Sequence, residues 1–150
     1  MRYGNIDDLV ERYLSVFFIV MRKATALVQC ELDEDMTNDQ YYLLRDIKKK
    51  GKCTSTELAS VFGVSKSAIT AMTNRLVEKG LLQRARDPND RRVVYLTLTE
   101  HGDEWIAKAE DKVHKLVESL IAKFSEEEIE AFIQTYEKFA RILQEMEGAP

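Results

Sequence analysis

The chain has 150 residues, 45% of them apolar and 32% charged, with a formal net charge of −4. That is enough for one compact domain with its own core, in the range of a soluble, helix-rich protein. It opens Met-Arg-Tyr-Gly-Asn with no apolar export segment, and its two cysteines, Cys30 and Cys53, stand at no Cys-x-x-Cys or Cys/His ligand spacing. The expectation is a cytoplasmic protein with free thiols, holding no metal and no cofactor.

Residues 6–29 read as one long helix. Val10, Leu14, Phe17, Phe18 and Met21 cover more than one side of it, so it should pack against several elements or a second subunit. Glu11, Arg12, Arg22 and Lys23 make it a poor membrane span. After an acidic connector over 31–35, Thr37-x-x-Gln40 is a capping box that opens a helix through Tyr41, Leu44 and Ile47, stopped by Gly51. Thr54-x-x-Glu57 is a second capping box, starting a helix over 57–62 that ends at Gly63. Ser65 caps the next helix, which runs to Lys79 and closes at Gly80. Ile69, Met72 and Leu76, at three-and-four spacing, must face the core. Ser67, Thr70, Ala71 and Asn74 then point outward, with Arg75 at one edge.

Residues 81–85 and 93–98 read as paired strands from their period-two alternation. Asp87-Pro-Asn-Asp90 between them is turn chemistry, followed at once by Arg91 and Arg92, so a charged hairpin tip should project into solvent. From Thr99 the chain is helical again. Ile106, Ala109, Val113, Leu116, Val117, Leu120 and Ile121 form one long stripe. Ser125-x-x-Glu128 caps a last helix whose stripe is Ile129, Phe132, Ile133, Tyr136, Phe139, Ala140 and Leu143. The two terminal helices and the apolar first helix exceed what a small winged domain can cover. Both chain ends are therefore expected to build a helical dimer interface; bundle packing within one subunit is the competing account.

Charge is distributed unevenly. From Arg45 to Arg92 there are 12 Lys or Arg against 5 Asp or Glu, a surplus of +7 that leaves −11 on the remainder. A basic face inside an acidic chain is what phosphate meets. For the stretch from Arg45 to Lys52 alone, a DNA-facing run and a solvated lysine-rich helix end stay equally open. A helix-turn-helix followed by a basic-tipped hairpin suits a protein that lays one helix in a DNA groove and one loop beside it.

The order of these pieces resembles the MarR family of winged helix-turn-helix regulators over residues 6–146. The specific part is LASVFGVSKSAITAMTNRLVEKGLLQRARDPNDRRVVYLTLTEHG, from Leu58 to Gly102. Within it Asp90 and Arg92 match the family's Asp-x-Arg wing signature, and Leu98, Thr99 and Gly102 its Leu-Thr-x-x-Gly closing motif; Thr37-x-x-Gln40-Tyr41 matches a helix start. The resemblance implies a mainly α fold with a small β-hairpin wing. Residues 37–98 would form the winged helix-turn-helix, and 6–30 with 99–146 the helical dimerisation region, within a single domain over 1–150. It implies a homodimer on a pseudo-palindromic double-stranded operator, acting as a sequence-specific transcriptional repressor released by a small aromatic or anionic effector.

Carried onto this chain, Ser65 and Lys66 would touch phosphate at the helix start. Ser67, Thr70, Ala71 and Asn74 would lie against base edges, where Asn pairs bidentately with adenine and Thr or Ala packs on a thymine methyl. Arg92 would be the wing's minor-groove finger. Asp90 reads as a brace for an arginine, with Arg75 as the candidate, and Arg84, Arg86 and Arg91 as phosphate contacts. By position, Arg22, Tyr41, Tyr42 and His101 would border the crevice between the dimer helices and the winged domain in which the family's effectors bind. Oxidant-sensing members carry their cysteine near the start of the first helix, whereas Cys30 lies at its far end. Cys53, beside Lys52 and the Lys48-Lys49-Lys50 run, is the other candidate for a thiol-based regulator.

Catalysis finds no support in the sequence. Gly63-Val-Ser65-Lys-Ser67 approaches a nucleophile elbow but ends in Ser and follows a helix instead of a strand. His101 and His114 are the only histidines, thirteen positions apart, with no ligand partner at metal spacing. The remaining rival is a winged-helix module that binds protein without DNA, since fold does not fix function.

Overall fold

The structure, a computed structural model, describes residues 3 to 148. Its elements run α1 (Ile6–Glu31), α2 (Asn38–Lys50), α3 (Ser55–Phe62), α4 (Lys66–Glu78), β1 (Leu82–Arg86), β2 (Val94–Leu98), α5 (Glu100–Ile121) and α6 (Glu126–Glu147). The strands form one antiparallel pair, from Leu82 opposite Leu98 to Arg86 opposite Val94. The mainly α reading with a β-hairpin wing holds. Two compact units divide the chain, one up to Val113 and one from His114 onward.

Local chemistry sets the helix starts. The boxes Thr37/Gln40, Thr54/Glu57 and Ser125/Glu128 close reciprocally on α2, α3 and α6, satisfying amide donors that a helix start leaves without partners. Ser65 accepts from the Ala68 amide at the head of α4. Helix α3 begins at Ser55, two residues before the expected start, because the box caps from Thr54. Both strands start one residue later than the alternation suggests. The turn between α3 and α4 needs Gly63, whose φ of 63° lies in the left-handed region.

The core belongs to the winged part. Leu43, Leu44 and Ile47 of α2, Leu58 of α3, Ile69 and Leu76 of α4, Leu96 of β2 and Ile106 of α5 are closed to solvent. Cys53 joins them. Its backbone exchanges two hydrogen bonds with Leu96, at 3.1 and 2.7 Å, adding a bridge beside the hairpin. Burial pushes the Cys53 thiol up from its ordinary range, with Asp46 adding to the shift and Lys50 opposing it. The lysine run therefore does not activate Cys53, contrary to the thiol-sensing alternative: desolvation of the thiolate outweighs the nearby cation. Cys30 is exposed near the end of α1.

Thr99 and Gly102 lock the hairpin to α5. The Thr99 amide donates to the Leu81 carbonyl at 3.1 Å, and the Thr99 hydroxyl accepts from the Gly102 amide at 2.9 Å. Gly102 is pressed so close to Leu81 that a Cβ would run into its carbonyl. The acidic connector is anchored as well. Asp33 accepts from the Trp105 indole N–H at 2.7 Å, and Asp35 accepts from Lys79 at 2.6 Å.

Helix α1 contrasts with all of this, for none of its residues is buried. An 18-residue window within it reaches a mean hydropathy of 1.3 with no more than two charged residues, so by length and composition it is apolar enough to cross a membrane. The expectation of a poor span is corrected to that extent. Arg22 and Lys23 fall in mid-helix, where each charge at a bilayer centre would cost about 2.5–3.5 kcal/mol on insertion scales. Helix α6 likewise buries no residue.

Two outcomes follow from this packing. Gly102→Ala should lower unfolding free energy by about 1–3 kcal/mol in urea titration at fixed protein concentration, since the neighbouring backbone must shift. In the folded protein, iodoacetamide should label Cys30 and spare Cys53 until denaturant is added, as read by mass spectrometry.

Candidate nucleic-acid interface

Helix α4 buries Ile69, Thr73 and Leu76, with Met72 half-buried, and leaves Ser67, Thr70, Ala71, Asn74 and Arg75 exposed. Thr73 is the polar exception on the inner face, and its hydroxyl is satisfied by donating to the Thr70 carbonyl at 3.1 Å. No acidic residue occupies the first turn of α4. Its amide dipoles and the exposed Lys66 thus present positive potential together.

The wing is shaped before it meets any ligand. The Asp87 carboxylate accepts from the Asn89 and Asp90 amides at 2.8 and 3.0 Å, which holds its carboxyl below the usual range. The Asp87 amide in turn donates to the Val93 carbonyl at 2.9 Å, closing the tip. Arg86 donates to the Arg91 carbonyl at 2.8 Å, pinning the base of the loop.

Asp90 braces Arg92, not Arg75. Its carboxylate accepts from the Arg92 Nε at 3.1 Å, from Nη2 at 3.2 Å and from the Arg92 backbone amide at 3.1 Å. The two residues lie two apart across the turn, so the pairing is local, whereas Arg75 sits on another element. These bonds hold the Asp90 carboxyl below its ordinary range. The Arg92 side chain is 91% exposed, so the pair adds little stability and instead fixes the direction in which a solvated guanidinium points.

Between α4 and the wing runs an open cleft lined by Thr54, Ser55, Thr56, Lys66, Thr70, Thr73, Arg84, Arg92, Val93 and Val94. It brings Lys66, Thr70, Arg84 and Arg92 of the sequence-derived set onto one surface. Thr54, Ser55 and Thr56 were not in that set. The Thr54 capping box was legible as a helix start, but the position of that start beside the wing depends on tertiary packing.

The run from Arg45 to Lys52 resolves differently. Lys48 pairs with Glu110 at 2.6 Å, with Arg45 3.9 Å from the same carboxylate, and Lys50 pairs with Asp46 at 2.9 Å. Lys52 lies over the Tyr95 ring, 4.3 Å from its centroid. Much of this charge is engaged within the subunit.

The four effector candidates are spread out. Arg22 lies over the Phe18 ring on α1 at 5.6 Å, Tyr41 is a core residue at 3% exposure, and His101 is exposed near the start of α5. Tyr42 is exposed and lines a second cleft with Arg45, Asp46, Lys49, Val61 and Phe62; Arg22, Tyr41 and His101 do not line it. Among the described residues, no cluster of three or more His, Cys, Asp or Glu is arranged to hold a metal ion.

Comparison with known proteins places this geometry. The MarR family model matches residues 36–94. The transcriptional regulator AdcR of Streptococcus pyogenes is 30% identical over 79% of this chain and 80% of its own length. The HTH-type transcriptional regulator YwhA of Bacillus subtilis is 26% identical over 91% of this chain and 93% of its own. A solved variant of E. coli MarR in complex with operator DNA superposes with a TM-score of 0.77 at 26% identity, covering 91% of this chain and 99% of that one. A helix-turn-helix followed by a basic wing, together with these matches, makes the chain a member of the MarR family of DNA-binding transcriptional regulators.

Proposed function

We propose that the protein acts as a homodimeric repressor on a pseudo-palindromic operator and leaves it when a small aromatic or anionic effector binds. The observation that carries this reading is the cleft between α4 and the wing, where Lys66, Arg84 and a braced Arg92 share one solvent-open surface. In this reading Ser67, Thr70, Ala71 and Asn74 face base edges in the major groove. Ser65, Lys66, Arg75, Arg86 and Arg91 hold the backbone, and Arg92, steered by Asp90, enters the minor groove. Support for repression comes from the HTH-type transcriptional repressor MdtR of Bacillus subtilis, 38% identical over 51% of this chain.

Dimerisation rests on the apolar chain ends. Residues 6–30 and 99–146 would form the dimer part of a single functional domain, and 37–98 the DNA-binding part. The protein would work in the cytoplasm without catalysing a reaction. Tyr42 and Phe62, rimmed by Arg45 and Lys49, suit an aromatic anion, and a ligand there would release DNA if it bound better to a conformation with the wrong wing separation.

Selection from a random duplex pool should recover an inverted repeat with half-sites one helical turn apart, roughly 34–36 Å. Recovery of sequences without such symmetry would overturn the proposal. On the recovered duplex, Arg92→Ala should weaken binding by on the order of 1–3 kcal/mol. Equal affinity at equal salt would remove the wing from the interface.

A further inference from the structure

We infer that Arg84 sets the base read by Asn74, and that the two side chains together select guanine. This rests on the DNA-binding reading above and sharpens it at one base pair. An exposed Asn on a recognition helix ordinarily pairs with adenine, its oxygen accepting from N6–H while its amide donates to N7. Here the Asn74 oxygen is engaged already: Arg84 Nη2 donates to Asn74 Oδ1. Arg84 lies two residues beyond the buried Leu82 on β1, hence on the same strand face, and from there it reaches α4.

A guanidinium has donors only, so the contact fixes which way the Asn74 amide points. The oxygen turns toward the arginine and the NH2 group is left for the groove. Among the described residues Arg84 makes no ion pair, so its positive charge is not cancelled locally. The pair offers a base edge N–H donors beside a cation. Guanine presents two acceptors, O6 and N7, which match that pattern; adenine places its N6 amino donor where the cation lies. Arg84 is accordingly a positioning residue for base reading, not the phosphate contact that its charge alone suggests.

Random-pool selection with the parent protein, Asn74→Ala and Arg84→Ala tests this. The position whose preference disappears in Asn74→Ala identifies the contacted base pair. The parent should select guanine there, and Arg84→Ala should shift that one position toward adenine. Discrimination between the two bases should change on the order of ten-fold, with the salt dependence of binding unchanged. If Arg84→Ala instead weakens all duplexes alike and lowers the salt slope by about one, it is a phosphate contact and the inference fails. Adenine selected by the parent at that position would also overturn it. Failure of all three proteins to enrich any duplex would overturn the DNA-binding reading and this inference with it.

Discussion

The apolar surface of α1 cannot remain in water, and much of the molecule's organisation depends on what covers it. Leu14, Val16, Phe18 and Ile19 are each more than half exposed in the single chain, with Phe18 at 62%. Soluble monomers rarely leave contiguous apolar patches beyond a few hundred Å² uncovered, and burial is worth roughly 25 cal/mol per Å². The winged part meets its own need through the core of α2, α3, α4, the hairpin and the start of α5. The chain ends do not. A second copy that covers them would also present a second basic cleft at a fixed separation, which a pseudo-palindrome requires.

Two anchors tie the segment after α1 to the winged part. The connector after α1 is held by Trp105 through Asp33 and by Lys79 through Asp35. Lys79 caps the end of α4. The connector after α1 is thus tied both to α5, through Trp105, and to the C-terminal end of α4, through Lys79. As exposed pairs they add little stability, so their consequence is register. The wing is held in the same way: Asp87 and Asp90 shape the loop with their carboxylates, and Asp90 holds the exposed Arg92 guanidinium.

Much of the fold was legible because its signals are local. Thr37, Thr54, Ser65 and Ser125 announce helix starts through bonds to amides three residues on, and the Asp87-Pro-Asn-Asp90 turn through its own backbone. What stayed hidden depends on distant parts of the chain meeting. Spacing alone gives no direction to the Asp90 carboxylate, so the sequence points as readily to Arg75 as to the Arg92 that it braces. The lysines beside Cys53 leave an activated thiol open as an alternative, which its burial against β2 removes. Gly102 was legible as a motif residue, while its reason, the Leu81 carbonyl pressed against it, requires the hairpin and α5 to be in place. The cleft walls Thr54 to Thr56 and the contact between Arg84 and Asn74 were invisible for the same reason.

We propose that two copies clasp through their apolar ends and thereby offer two basic clefts to one duplex. Light scattering on the purified protein, alone and with its selected duplex, tests this most directly. The predicted masses are twice that of the chain in free solution and two chains per duplex in the complex. A monomer at micromolar concentration, or one chain per duplex, would contradict it.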